Sequence, residues 1–233
     1  MSRPYDELTL PDNFNGMVRL FPISKMVLYP GVGQMLHIFE PRYCTMMEDA
    51  LDSDRLITMA NLYSDQLDGF GNPKINQTVC IAQIVEEVRQ EDGRYNLFVL
   101  GVQRARILRE IDSEKPYRLA RVEVLPAPND GDDEFPGARE ELLKDFVELA
   151  KTQDHWDADV LAKFVDPELP LSRMVDMIAY TAGVESEFRQ RVLATDELGP
   201  RIILVSKLLQ DLLKYVRRPE PAKRDFPPKF SAN

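Results

Sequence analysis

The chain has 233 residues, 44% of them hydrophobic and 29% charged, enough to bury a sizeable core in one or two units. Asp and Glu outnumber Lys and Arg by 39 to 29, and a formal net charge of −10 disfavours general attraction to nucleic acid or anionic lipid. The opening residues lack the apolar run of a signal peptide and no window approaches the roughly 18 apolar residues of a membrane helix, so the expected setting is the cytoplasm, with no membrane partner.

In chain order, Met17 to Ile23 and Gln34 to Phe39 are short apolar runs separated by Pro30 and glycines, and both read as strands. Pro41 suits the first turn of a helix, where its missing N–H would go unpaired anyway. Tyr43, Met46, Met47, Ala50 and Leu51 then recur at three- and four-residue spacing, an apolar stripe that predicts packing on a sheet. Leu56 to Leu62 is a further strand, followed by a polar loop from Tyr63 to Gln77. The clearest hairpin is Thr78 to Val88 with Arg94 to Leu100, because Asp92-Gly93 between them supplies the positive φ a tight turn needs. Gly101 punctuates, Val102 to Ile111 continues with Val102, Arg104, Arg106 and Leu108 on one parity, and Tyr117 to Leu125 is the last strand. Short strands at this spacing predict an antiparallel barrel or a strongly curved sheet.

The run Pro126 to Glu134 concentrates proline, glycine and charge and reads as a linker. Beyond it the period becomes helical: Arg139 to Thr152, Leu171 to Ala182 stopped by Gly183, Glu187 to Leu193, and Pro200 to Arg217. Four prolines after Arg218 predict a disordered tail. The expected organisation is therefore α+β: a barrel unit over 15–127 with one inserted helix, a linker over 128–136, a helical bundle over 137–218 and a tail over 219–233.

Several of these segments carry a resemblance to the amino-terminal, substrate-binding domain of Lon proteases. They are Leu20-Phe21-Pro22-Ile23, Val27-Leu28-Tyr29-Pro30-Gly31, Leu36-His37-Ile38-Phe39-Glu40-Pro41-Arg42-Tyr43, the hairpin from Gly93 to Ile107, Pro116 to Glu123, and the carboxy-terminal pattern of Phe188, Gln190, Leu193 and Arg201. Together they cover roughly residues 15 to 217. The resemblance implies a PUA-like β-barrel followed by a small helical bundle, and a function in holding polypeptide segments for an ATP-dependent protease. It also implies a stand-alone domain without the ATPase and peptidase of a full Lon protease. Gly33-Gln34-Met35 and the long polar loop from Tyr63 to Gln77 depart from the family pattern.

Motifs for bond-breaking chemistry are scarce, and the expectation is a protein that is not an enzyme, with no cofactor and no metal. No Gly-x-x-x-x-Gly-Lys-Ser/Thr occurs, and Gly31-Val32-Gly33 and Gly69-Phe70-Gly71 read as turns. Ser24-Lys25 and Ser206-Lys207 are adjacent pairs outside any Lon-type catalytic segment. His37 and His155 lack partners at metal-ligand spacing, and His37 reads as a half-buried strand residue bonded to backbone. Cys44 and Cys80, in no Cys-x-x-Cys pair, read as reduced core thiols. Glu40, Pro41, Arg42 and Tyr43 form a strand-to-helix corner, where the Glu40 carboxylate is expected to meet free amides and the Arg42 guanidinium to tie strands to helix. Arg104, Arg106, Arg109, Arg118 and Arg121 are the one local basic concentration, so an RNA-binding PUA-like protein stands as a minor alternative. The candidates for polypeptide contact are Tyr63, Leu67 and Phe70, apolar residues in an otherwise polar loop. The partners expected are exposed polypeptide segments and, if the protein is an adaptor, a protease or ATPase acting in trans.

Overall fold

In a computed structural model, residues 9–67, 71–127, 134–152 and 164–217 are described, with the side chains of Ser64 and Asp65 excepted. Seven strands come first: β1 (Met17–Ile23), β2 (Gly33–Ile38), β3 (Leu56–Leu67), β4 (Pro73–Ile75), β5 (Thr78–Arg89), β6 (Tyr95–Ile111) and β7 (Leu119–Val124). Helix α1 (Pro41–Leu51) lies between β2 and β3. Among the described residues four more helices follow β7: α2 (Ala138–Ala150), α3 (Leu171–Thr181), α4 (Ser186–Ala194) and α5 (Leu198–Val216).

The sheet runs β1-β7-β6-β5-β3-β4, and pairing of β1 with β3 closes its first five strands into a barrel, with β2 added on β6 and β4 on β3. The closing pair is parallel, Leu20 opposite Thr58 and Ile23 opposite Asn61, whereas every other pairing is antiparallel. The antiparallel barrel expected from sequence is therefore a mixed one. A parallel pair needs a crossover, and the segment carrying β2 and α1 supplies it.

Most barrel strands are buried on both faces. Alternate residues of one set, Val18, Leu20, Leu56, Ala60, Val79, Ile81, Ala105, Ala120 and Val122, fill the barrel interior. Their neighbours Phe21, Ile57, Met59, Cys80, Ala82, Ile84, Leu97 and Val99 face outward into a second core shared with the helices. Alanine at three of the interior positions fits the small radius of a five-stranded barrel. Burial on both sides explains why Val79 to Ala82 is apolar without alternation.

Helix α1 begins as predicted, with Glu40 at its N-cap, Pro41 in its first turn and Tyr43, Met46, Met47 and Ala50 buried. Gly101 does more than end a strand. β6 continues through it as 17 residues, with a register shift against β5. A Cβ at Gly101 would lie 2.1 Å from the Tyr29 carbonyl oxygen, and the Gly31 amide donates to the Gly101 carbonyl at 2.7 Å. The segment 27–32 is thus held flat on β6 by a contact that only glycine permits.

The polar loop expected over Tyr63 to Gln77 is partly strand. β3 runs on to Leu67 and pairs back with β4, Leu62 opposite Ile75 and Leu67 opposite Pro73. On the helical side, α2 and α5 enclose Leu142, Phe146, Leu149, Leu209 and Leu213 with Met174, Val175 and Ile178 of α3. A fully buried ion pair, Arg201 with Asp176, joins α5 to α3. Residues 128–133 of the expected linker and the expected tail beyond Arg217 lie outside the described residues.

Candidate functional site

Several polar ties join the helices to the barrel, and three of them surround α4. Arg104 of β6, 2% exposed, donates to the carbonyls of Leu193 and Thr195, each at 3.0 Å, and to that of Pro126 at 3.3 Å. Burial lowers the pKa of its guanidinium from the ordinary value, and the charge of Asp196 opposes that shift. Gln190 of α4 donates its amide to the Thr78 carbonyl at 2.8 Å, and the Tyr29 hydroxyl donates to the Arg189 carbonyl at 2.7 Å. Together these fix α4 beside the start of β5 and the middle of β6.

Between α4 and the β3–β4 hairpin a cleft remains. One hollow of about 710 Å³ is lined by Tyr63, Lys74, Asn76, Ile107, Leu108, Arg109, Gln190 and Arg191, among others. A second, of about 330 Å³, adds Asn61, Leu62 and Gln66 and shares Tyr63, Asn76, Glu187 and Gln190 with the first. Tyr63, 54% exposed, stands where the two meet, and Leu67 near the hairpin tip is 58% exposed. On the other side of the hairpin a hollow of about 810 Å³ is bordered by Arg42, Tyr43, Lys115 and Tyr117. Arg118 stands between the two sides, donating to Glu110 at 2.7 Å and to the Pro73 carbonyl at 2.9 Å.

Of the sequence candidates, Tyr63 and Leu67 lie on a strand and not in a loop, and Phe70 falls outside the described residues. The corner motif is built otherwise than expected. Glu40 makes no capping hydrogen bond; its carboxylate accepts from Arg42 Nε at 3.0 Å in an exposed pair, while the guanidinium lies over the Tyr43 ring at 4.5 Å. The residue that ties strand to helix is Arg19 of β1. It donates to Asp54 Oδ1 at 2.7 Å, Ser53 Oγ at 2.6 Å and the carbonyls of Leu56 and Asp49. Beside it, Asp49 accepts from Lys115 at 2.8 Å and from the Tyr117 hydroxyl at 2.6 Å. These bonds, the Lys115 one foremost, hold the Asp49 carboxyl below the usual range, while burial and that same carboxylate push the Tyr117 hydroxyl up to about 12.

His37 is exposed and pairs through Nδ1 with Asn96 Oδ1 at 2.7 Å, with Phe39 stacked 6.0 Å away, so it is not the half-buried, backbone-bonded residue expected. The arginine concentration is dispersed by pairing. Arg104 is buried, Arg106 meets Asp196 at 2.9 Å, Arg118 meets Glu110, and Arg121 donates to the Asn15 carbonyl. Arg109 alone of the five makes no hydrogen bond or ion pair among the described residues. Cys44 and Cys80 are free thiols, and burial pushes Cys80 up to about 12. Among the described residues no group of His, Cys, Asp and Glu is placed to hold a metal ion, and no helix is long and apolar enough to cross a membrane.

A family profile described as the ATP-dependent protease La (LON) substrate-binding domain matches residues 17–211. The chain belongs to this family. Lon protease of Dictyoglomus thermophilum is 25% identical over 203 residues, covering 87% of this chain and 25% of that protein. Lon protease of Trichlorobacter lovleyi is 27% identical over 209 residues, covering 88% and 24%. The chain thus spans about a quarter of the length of the curated relatives it matches. Among solved structures, the N-terminal domain of the Mycobacterium avium complex Lon protease superposes with a TM-score of 0.66 at 17% identity, covering 84% of this chain and 98% of that one. The Lon N-terminal domain protein from Xanthomonas campestris gives 0.56 at 17% identity, covering 83% and 97%. At that identity the likeness is one of fold, and the fold is that of Lon amino-terminal domains.

Asn61, Gln190 and Lys74 were not among the candidates read from sequence. Asn61 carried a signal, a lone amide in the apolar run Leu56 to Leu62, where a polar side chain is buried only beside a polar need.

Proposed function

We propose that this chain is a non-catalytic recognition module that holds exposed polypeptide segments in the cleft between the β3–β4 hairpin and α4. The observation that carries the reading is the match of residues 17–211 to a substrate-binding domain family. The cleft supports its placement. Tyr63 presents apolar surface there, Leu67 is exposed further along the same strand, β4 lines the cleft, and β4 pairs with β3 alone among the described strands. An extended chain can add to such an edge through its backbone, with side chains entering the hollows on alternate sides. The same reading takes residues 15–127 and 137–218 as two structural units joined by 128–136, includes Phe70 in the contact surface, and sets the protein in the cytoplasm without a cofactor.

Titration of the chain with a permanently unfolded protein, such as reduced and carboxymethylated lactalbumin, tests it. Saturable binding in the micromolar range supports the reading, and no binding at high micromolar concentration rejects it. A second reading, an adaptor for an ATP-dependent protease acting in trans, is motivated by the similarity of the chain to Lon proteases. Co-purification of a stoichiometric ATPase, with no affinity for unfolded polypeptide, would select it.

A further inference from the structure

The floor of the cleft holds two buried side-chain oxygens without a donor among the described residues. Asn61 is 4% exposed and Gln190 7% exposed; both line the smaller hollow, and the side-chain oxygen of each is buried and accepts no hydrogen bond from the described residues. Gln190 is oriented by its own geometry, because its amide nitrogen already donates to Thr78, leaving the oxygen toward the unfilled side. A buried acceptor left open costs roughly 1–3 kcal/mol, so the fold keeps two groups that only an N–H or O–H donor would satisfy.

The rim adds a charge signature that runs against the rest of the molecule. Among the described residues the larger hollow is lined by Lys74, Arg109, Arg118 and Arg191 against Glu110 and Glu187, a local excess of two positive charges on a chain of net −10. Arg118 is engaged by Glu110, whereas Arg109 makes no ion pair among the described residues and Arg191 lies over the Phe188 ring at 5.3 Å. Among the described residues Lys74 reaches the Gln66 side chain, at 3.4 Å. At physiological salt, fields decay over about 8 Å, so a bound segment senses these rim cations more than the distant net charge.

We infer that this cleft selects extended polypeptide segments carrying Asp or Glu beside apolar residues: backbone N–H groups satisfy Asn61 and Gln190, carboxylates meet Lys74, Arg109 and Arg191, and an apolar side chain packs on Tyr63. This specificity rests on the polypeptide-binding reading and sharpens it. Backbone N–H groups, which every residue but proline carries, match the floor, and an acidic side chain matches the rim; a basic segment satisfies the floor and is repelled at the rim.

Fluorescence anisotropy with three labelled probes tests this at low salt: a peptide alternating Asp with Val, its counterpart alternating Lys with Val, and an oligouridine. The acidic peptide is expected to bind at least about tenfold tighter than the basic one. The double variant Arg109→Glu, Arg191→Glu, whose wild-type side chains are exposed, is expected to weaken the acidic peptide about tenfold while leaving the melting temperature unchanged. Equal binding of the two peptides, or an unchanged affinity in the double variant, overturns the inference. Oligouridine binding tighter than the acidic peptide overturns it in favour of a nucleic-acid cleft. Carboxymethylated lactalbumin is run in parallel. If it binds while the charge preference is missing, the specificity fails and the general reading stands; if neither it nor any peptide binds, both fail.

Discussion

Replacing Arg104 with alanine tests how the helices are held to the barrel. The guanidinium is 2% exposed and makes two bonds of 3.0 Å, to the Leu193 and Thr195 carbonyls, and weaker ones to Pro126 and Asp196. Each hydrogen bond from a charged donor contributes about 1.5–3 kcal/mol, and a buried carbonyl left without a donor costs about 1–3 kcal/mol. Keeping a guanidinium dry is itself unfavourable, and removal of one partner from such arrangements typically costs about 3–5 kcal/mol. We expect Arg104→Ala to lose that amount, a large part of the roughly 5–15 kcal/mol that stabilises a domain. At about 2–4 °C per kcal/mol for a chain of this size, the melting temperature falls by roughly 10 °C. Arg104→Lys should recover less than half of the loss, since one ammonium cannot fork to carbonyls on both sides. Urea unfolding followed by circular dichroism measures this, with Arg109→Ala as the exposed control. A loss under about 1 kcal/mol for Arg104→Ala, equal to the control, would show that the carbonyl clamp carries no weight.

Arg19→Ala is expected to cost about 2–3 kcal/mol in the same assay, because four groups of β3 and the α1 end lose their donor, while Arg42→Ala costs under about 1 kcal/mol; reversal of that order would restore the corner motif as the tie. Because the folded Asp49 carboxyl is held below its unfolded value of about 3.9, its contribution is present above that pH and lost as pH falls through the folded value. Asp49→Asn should therefore flatten the acid limb of the stability curve below about pH 4, and an unchanged limb would contradict the Lys115 and Tyr117 bonds. Cys80, with its thiol pushed up to about 12, should resist iodoacetamide in the folded chain at mildly alkaline pH and react only on unfolding, with the half-buried Cys44 reacting first; rapid labelling of Cys80 would contradict its burial.

Local chemistry made much of the architecture readable. Pro41 and the stripe from Tyr43 to Ala50 define α1 because a helix start and a helix face both leave marks within a few residues. Asp92-Gly93 likewise marks the β5–β6 turn, where Gly93 adopts φ of 85°. The parallel closure of β1 on β3 left no such mark, since pairing across a crossover depends on distant residues. Arg19 and Arg104 were unreadable for the same reason: a guanidinium in a strand looks solvated until the carbonyls it reaches, as far as 92 positions away, are placed beside it. The cleft was half legible. Tyr63 and Leu67 stood out as apolar residues in polar company, but the strand that carries them is short of hydrophobic residues beyond Leu62 and reads as loop, and Gln190 reads as an ordinary helical polar residue until Thr78 is set against it.

Hydrogen–deuterium exchange of the chain with and without carboxymethylated lactalbumin addresses the site most directly. Slowed exchange confined to the end of β3, to β4 and to α4 is the result expected of a polypeptide lying in that cleft. Slowed exchange centred instead on β2 and the outer face of β6, where Met35 and Phe39 are exposed, would place the binding surface elsewhere on the barrel and contradict the account.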